Sequence, residues 1–339
     1  MKKHIVNVLV LMFVSTPLFS QNTYHFNTSP VKNYYNVETV FGLDWSSDGK
    51  VLYSCGGARQ IVAFDSETFE VLRSSASLPF ENYPKNISIN SSNSVLAYYI
   101  FNGYEIDTIK LLNATTLKEI GSISEFETVS NIVFSPNGEV LYALGYSENM
   151  GSTLVSYNAE NGSRIAVNVK EKGLWCFDIS PDGKFLAAGV VNNSFAGIKI
   201  YDLQSGQAIK SISFKGDLNV LKFSPDGKYV AAGFYDNNVY LWDVATGAKI
   251  YTFSGLNGSV NTLDFSPDGK YIVIAGMDHK QTFKIFNTTT GAEVQSLDEA
   301  CPDIECVRFS PDGNSLAVAY RTYGDYYKVA TIRIFKLEK

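Results

Sequence analysis

With 339 residues, 45% of them hydrophobic, the chain has room for one large domain or two ordinary ones and for a substantial buried core. Its 14% aromatic content, with 21 Tyr and 22 Phe, favours strands, where flat and branched side chains pack on a pleated surface, and no long helical pattern interrupts it. Lys plus Arg number 28 against 34 Asp plus Glu, a formal charge of −6 without charge runs, which argues against nucleic acid and anionic lipid as principal partners.

The chain opens with a basic pair, Lys2 and Lys3, an apolar run from Ile5 to Phe19, and Ser20 ahead of Gln21, the three-part layout of a secretory signal peptide. A run of about 15 residues falls short of the roughly 20 that cross hydrocarbon, so the segment reads as a removable signal and not as an anchor. No Cys follows it, so a lipoprotein type of anchor is not indicated. The expected division is a signal peptide over 1–20 and a mature chain over 21–339, exported to the periplasm or the medium, with no stable membrane insertion after cleavage. Losing Lys2 and Lys3 moves the formal charge to −8.

Residues 24–35, with Tyr24-His25-Phe26 alternating, precede seven copies of one unit. The apolar residue that closes the first strand of each copy is Trp45, Ile89, Phe134, Ile179, Phe223, Phe265 and Phe309, spaced 44, 45, 45, 44, 42 and 44 residues apart. Two residues before it an apolar residue stands every time, and seven after it an aliphatic one: Leu52, Leu96, Leu141, Leu186, Val230, Ile272 and Leu316. Columns at period 2 are what half-buried strands need, because alternate side chains share one face.

The turn between these strands is written SPDG or a near relative. Pro136, Pro181, Pro225, Pro267 and Pro311 set φ where the turn begins, and Gly accepts the positive φ of a tight hairpin in six copies. A third strand ends in an apolar residue followed by Asp or Asn, as in Phe64-Asp65, Tyr157-Asn158, Tyr201-Asp202, Trp242-Asp243 and Phe286-Asn287. A turn closed by Gly162, Gly206, Gly247 or Gly291 then leads to a fourth strand. The last copy stops after its third strand, so part of 24–35 is expected to supply the missing fourth strand and close a ring.

The stretch at 223–247, FSPDGKYVAAGFYDNNVYLWDVATG, resembles the WD (Trp-Asp) repeat family of β-propellers, in which each repeat supplies one four-stranded blade. The resemblance implies an all-β, seven-bladed propeller of antiparallel blades over the mature chain. It also implies a non-enzymatic scaffold that recognises another protein or peptide through one loop rim. The family's Gly-His pair before the first strand is missing, since the histidines are His4, His25 and His279. Blade stability is therefore expected to come mostly from apolar packing.

Carried over by position, the rim begins four residues before each strand-closing residue, at Phe41, Lys85, Ser130, Trp175, Asn219, Asn261 and Glu305. These differ from copy to copy while the core columns do not, which leaves room for function. Loops between second and third strands add Tyr104, Tyr146, Phe195, Tyr235, His279, Tyr320, Tyr323, Tyr326 and Tyr327. Tyr and Trp combine large contact area with a polar tip and are frequent binding hot spots.

No catalytic, cofactor or resident metal site is indicated: a metal centre or a Ser-His-Asp hydrolase needs a His near other site residues, and no such set is visible. The alternative is an enzyme or a small-ligand or glycan binder at the channel mouth, with Asp236, Asp278, Asp325 and Glu305 holding calcium. A monomer is the default state. In an exported chain Cys301 and Cys306 could be bridged if Pro-Asp-Ile-Glu forms a turn, whereas an extended segment would keep their Cα atoms too far apart.

Overall fold

The computed structural model describes residues 30, 32–34, 39–80, 82–101, 106–277, 283–297, 303–321 and 332–337. They form seven four-stranded antiparallel sheets, arranged as the seven-bladed propeller expected, and contain no helix. Blade one is Val40–Trp45, Val51–Gly56, Ile61–Asp65 and Val71–Ser74, in sequence order from the axis outward. Five more blades repeat that order. The innermost strands are Tyr83–Ile89, Thr128–Phe134, Leu174–Ile179, Leu218–Phe223 and Val260–Phe265, and Ile304–Phe309 in blade seven; each touches the innermost strands on either side.

Blade seven closes the ring as expected. Its outer strand is Lys32–Tyr34, antiparallel to Ile332–Lys336 in the register Lys32↔Ile334, Asn33↔Arg333 and Tyr34↔Ile332. A strand from the start of the chain thus covers an edge that the last repeat leaves open.

Each strand-closing residue ends its innermost strand and pairs with the aliphatic seven residues on, from Trp45↔Leu52 to Phe309↔Leu316. All seven of those aliphatics are 1% exposed or less. In six blades the turn between them is held by its serine, and in blade two by Asn90, whose Oδ1 accepts from Ser94 N and Val95 N at 2.9 Å. In blade five, Ser224 Oγ donates to Asp226 Oδ1 at 2.7 Å and accepts from Tyr229 N at 3.0 Å, while Gly227 stands at φ 71°. In the turn before the outer strand, Phe69 and Leu117 take the positive φ, 55° and 53°, that Gly162, Gly206, Gly247 and Gly291 take in later blades.

Apolar side chains collect in seven clusters, each shared by two neighbouring blades. No single centre exists. Burial at about 25 cal/mol per Å² therefore stabilises blade pairs, and a blade cannot bury its faces alone. Polar links add to this where no His is present. Tyr157 and Tyr201, the last aromatics of their third strands, donate their hydroxyls to Glu125 and Glu171 of the preceding blade's outer end. Arg164 and Lys199 pair with the same carboxylates. In blade five the equivalent contact is Trp242 stacked on Phe214 at 6.0 Å, and in blade six Phe286 lies 5.0 Å from Phe253.

Cys306 is a free, buried thiol in an extended strand, its Sγ 3.9 Å from the Leu43 carbonyl, so the bridge to Cys301 is not formed. Cys301 itself lies outside the described residues. Cys55 and Cys176 are likewise buried and free. The segment 1–20, read from its layout as a signal peptide, also lies outside them.

Candidate binding rim

The entrance to every innermost strand is irregular within one residue of the same step. Pairing with the second strand skips Phe41, Asn86, Ser130, Asn219, Asn261 and Glu305 in six blades, and Trp175 with Cys176 in blade four. A bulge there re-aims the side chain it carries and ends the pairing. Six of the seven residues assigned to the rim by spacing sit on these bulges. In blade two the bulge falls one residue later, on Asn86 beside Lys85.

The bulged residues divide into two groups. On blades five to seven they satisfy one another or a neighbour: Asn219 Nδ2 donates to Val260 O at 2.9 Å and to Asn261 Oδ1 at 3.1 Å, and Glu305 is paired with Arg321. On blades one to four only Ser130 and Trp175 are exposed; Phe41 is half-buried, and Asn86, also half-buried, donates to Asn131. Trp175 is 56% exposed, and Lys85 Nζ lies 5.3 Å from the Phe41 ring and 4.5 Å from the Phe101 ring. Phe101, at the end of the second strand of blade two, belongs to the same end of the propeller and was not singled out by the repeat spacing.

Of the loop aromatics, Tyr146 and Tyr235 are exposed, and Phe195 is half-buried beneath Lys199 Nζ at 5.0 Å. Tyr320 corrects the sequence reading. It ends the second strand of blade seven, is fully buried in the cluster shared by blades six and seven, and has the Arg333 guanidinium 5.0 Å from its ring, so it serves the core and not the rim. Tyr104, His279, Tyr323, Tyr326, Tyr327, Asp278 and Asp325 lie outside the described residues. Asp236 accepts from Tyr240 Oη at 2.8 Å and from Asn238 N at 3.1 Å, the contacts of a turn. Among the described residues no group of three or more His, Cys, Asp or Glu is placed to hold a metal ion.

Below the rim, one residue before each strand-closing position, lies a belt the sequence reading did not single out. From blade four around to blade one it reads Asp178, Lys222, Asp264, Arg308 and Asp44, alternating in charge, with Ser88 and Val133 completing the circle. Each carboxylate caps the next blade's otherwise unpaired inner edge. Asp44 accepts from Ile89 N at 2.9 Å, Asp178 from Phe223 N at 2.9 Å and Asp264 from Phe309 N at 2.8 Å. Lys222 Nζ is 2.6 Å from Asp264 Oδ1. Burial pushes the Asp44 and Asp178 carboxyls upward, opposed at Asp44 chiefly by Arg308 and at Asp178 chiefly by Lys222. Burial works against the Arg308 cation, and the surrounding groups, Asp264, Asp44 and Asp178 among them, outweigh it. A column of alternating charge was available in the sequence, but only the ring makes its members neighbours.

Two family models match the chain. The WD domain, G-beta repeat model covers residues 206–243, from the end of blade four through the third strand of blade five. The Eukaryotic translation initiation factor eIF2A model covers residues 229–335, within blades five to seven. No match to a curated protein was found. With seven four-stranded blades in place, these matches support a WD-repeat propeller family, whose members are commonly protein-binding scaffolds and typically non-catalytic.

Proposed function

We propose that this protein is an exported, non-enzymatic scaffold that holds another protein or peptide against the rim built by the inner-strand entrances and the loops between second and third strands. One observation carries the reading. A bulge recurs within one residue of the same step of every innermost strand, bearing Asn in three blades and Phe, Ser, Trp or Glu in the others, a repeated mount with variable contents. Exposed Trp175, Tyr146 and Tyr235 at that end supply the contact area of a protein interface. Export rests on the layout of residues 1–20.

The test is affinity capture from the native envelope and secreted fractions with the wild-type chain and with a Trp175→Ala, Tyr235→Ala double variant. Loss of the same captured proteins from the double variant, at unchanged melting temperature, is the expected result. Equal capture by both would remove the rim from consideration. For export, mass spectrometry of the mature chain is expected to find Gln21 first; an intact Met1 in the cytoplasmic fraction would contradict it.

A further inference from the structure

The two halves of the rim differ in what they leave unsatisfied. On blades five to seven the polar side chains are consumed by the amide link of Asn219 to Asn261 and by the Glu305–Arg321 pair. The belt beneath is likewise closed by alternating charge from blade four around to blade one. Blades two and three interrupt that belt with Ser88 and Val133. Above this uncharged gap stands Lys85, half-buried, between the Phe41 and Phe101 rings. Two aromatic faces hold an ammonium in place by their quadrupoles but do not neutralise it. Among the described residues no carboxylate is paired with it.

On a chain of net negative charge, a cation held between two rings with no carboxylate on it is open to an anionic group. Its surroundings give the ligand a shape. Ser130, exposed on the bulge of blade three, lies between Lys85 and the exposed Trp175 of blade four, and the intervening strands are tied together by Asn86 donating to Asn131 and by Asn131 Nδ2 donating to Phe177 O at 3.0 Å. The order around the mouth is therefore ring, ammonium, hydroxyl, indole.

We propose that this sector of the rim seats an acidic peptide segment, with an Asp or Glu carboxylate on the Lys85 ammonium and a neighbouring aromatic or large apolar side chain on Trp175. The proposal rests on the rim reading above and names its partner's chemistry. The carboxylate gives direction and register, the indole gives contact area, and Phe41 with Phe101 keeps the ammonium extended before the partner arrives, so little side-chain ordering is left to the binding step.

Random peptides displayed on phage, panned on the wild-type chain and on Lys85→Glu, supply the probe. The wild type is expected to select peptides with an Asp or Glu close to an aromatic residue, and Lys85→Glu to select basic ones, a switch that an unfolded variant cannot produce. A synthetic copy of the leading wild-type peptide, followed by fluorescence polarisation, should bind Lys85→Met about tenfold more weakly and lose its salt dependence. Selected peptides without acidic excess, or equal binding by Lys85→Met, overturn the assignment. If such peptides are still weakened by Trp175→Ala, the rim reading stands and only the acidic chemistry falls. Insensitivity to both substitutions, or no selection at all, sinks both.

Discussion

A serine, an acid and a glycine recur in the inner turn because the turn needs an acceptor, a bridge and a positive φ in fixed places. The Ser224 hydroxyl donates to Asp226 while accepting from Tyr229 N, and hydrogen bonding from Ser224 and Lys228, against modest burial, holds the Asp226 carboxyl below the usual carboxylate range. Asp48, Asp182, Asp268 and Asp312 are lowered in the same way. A depressed folded pKa means stability present above the unfolded value and lost as pH falls through the folded one. Asp226→Asn should therefore cost about 1 kcal/mol at pH 6, the low end for a charge-assisted bond because the carboxylate is largely solvated. The gap in urea midpoint between variant and wild type should close between about pH 4 and pH 2. A gap that persists at pH 2 would mean the charge is not what matters. Gly227 answers to a different constraint: at φ 71°, Gly227→Ala should lower stability by about 1 kcal/mol at every pH.

The buried thiols are a second matter of single residues. Burial drives the Cys176 thiol up to about 12 and raises Cys55 and Cys306 as well, so none presents a thiolate at neutral pH. Maleimide labelling of the native chain, read by peptide mass spectrometry, should leave these three unmodified until denaturant is added. Rapid labelling of Cys306 in the native state would contradict its place in the core.

At the level of the element, the innermost strand has one edge without a neighbouring strand, and the charge belt is the answer to it. Asp264 caps Phe309 N and holds Lys222, so removing the cation alone leaves a buried carboxylate short of a partner. Lys222→Met should cost about 1–3 kcal/mol, less than a fully buried pair because Lys222 keeps some access to water. Adding Asp264→Asn retains an acceptor for Phe309 N and removes the stranded charge. The double variant should thus melt above Lys222→Met alone; a lower melting temperature would show the two residues acting independently. The third strand offers a comparable contrast. Tyr157→Phe and Tyr201→Phe remove hydroxyls that bond Glu125 and Glu171, each expected to cost about 1–2 kcal/mol in thermal denaturation, whereas Trp242 makes its inter-blade contact through a ring face.

For the whole molecule, stability resides between blades, since all seven apolar clusters straddle a blade boundary. Ring closure through Lys32–Tyr34 is then a joint on which the seventh interface depends. A chain shortened to begin at Thr39 should melt at lower temperature and aggregate at the edge Ile332–Lys336 exposes; size-exclusion chromatography and a thermal scan decide it. An unchanged, monodisperse melt would mean the strand adds nothing.

The fold was legible in the sequence because each blade repeats one set of local demands. A period near 44, an apolar residue closing a strand, an aliphatic seven on and a Pro-Asp-Gly turn are all satisfied within one unit, so the pattern is written seven times and its register survives copy by copy. Spacing also located the strand-entrance bulge in six of the seven blades, since such a bulge is a local property of the strand. What lay outside local pattern was decided only by closure of the ring. Tyr320 reads as one more loop tyrosine until the neighbouring blade covers it, and Cys306 reads as half of a bridge until its strand runs straight. Asp44 and Arg308 stand 264 residues apart and come under each other's charge because the ring closes and sets the innermost strand of blade one against that of blade seven. The sequence determined the blade and its turns through short-range sterics and periodicity. Which side chains face one another across blades, and so which charges are satisfied within the ring, follows from tertiary contact alone.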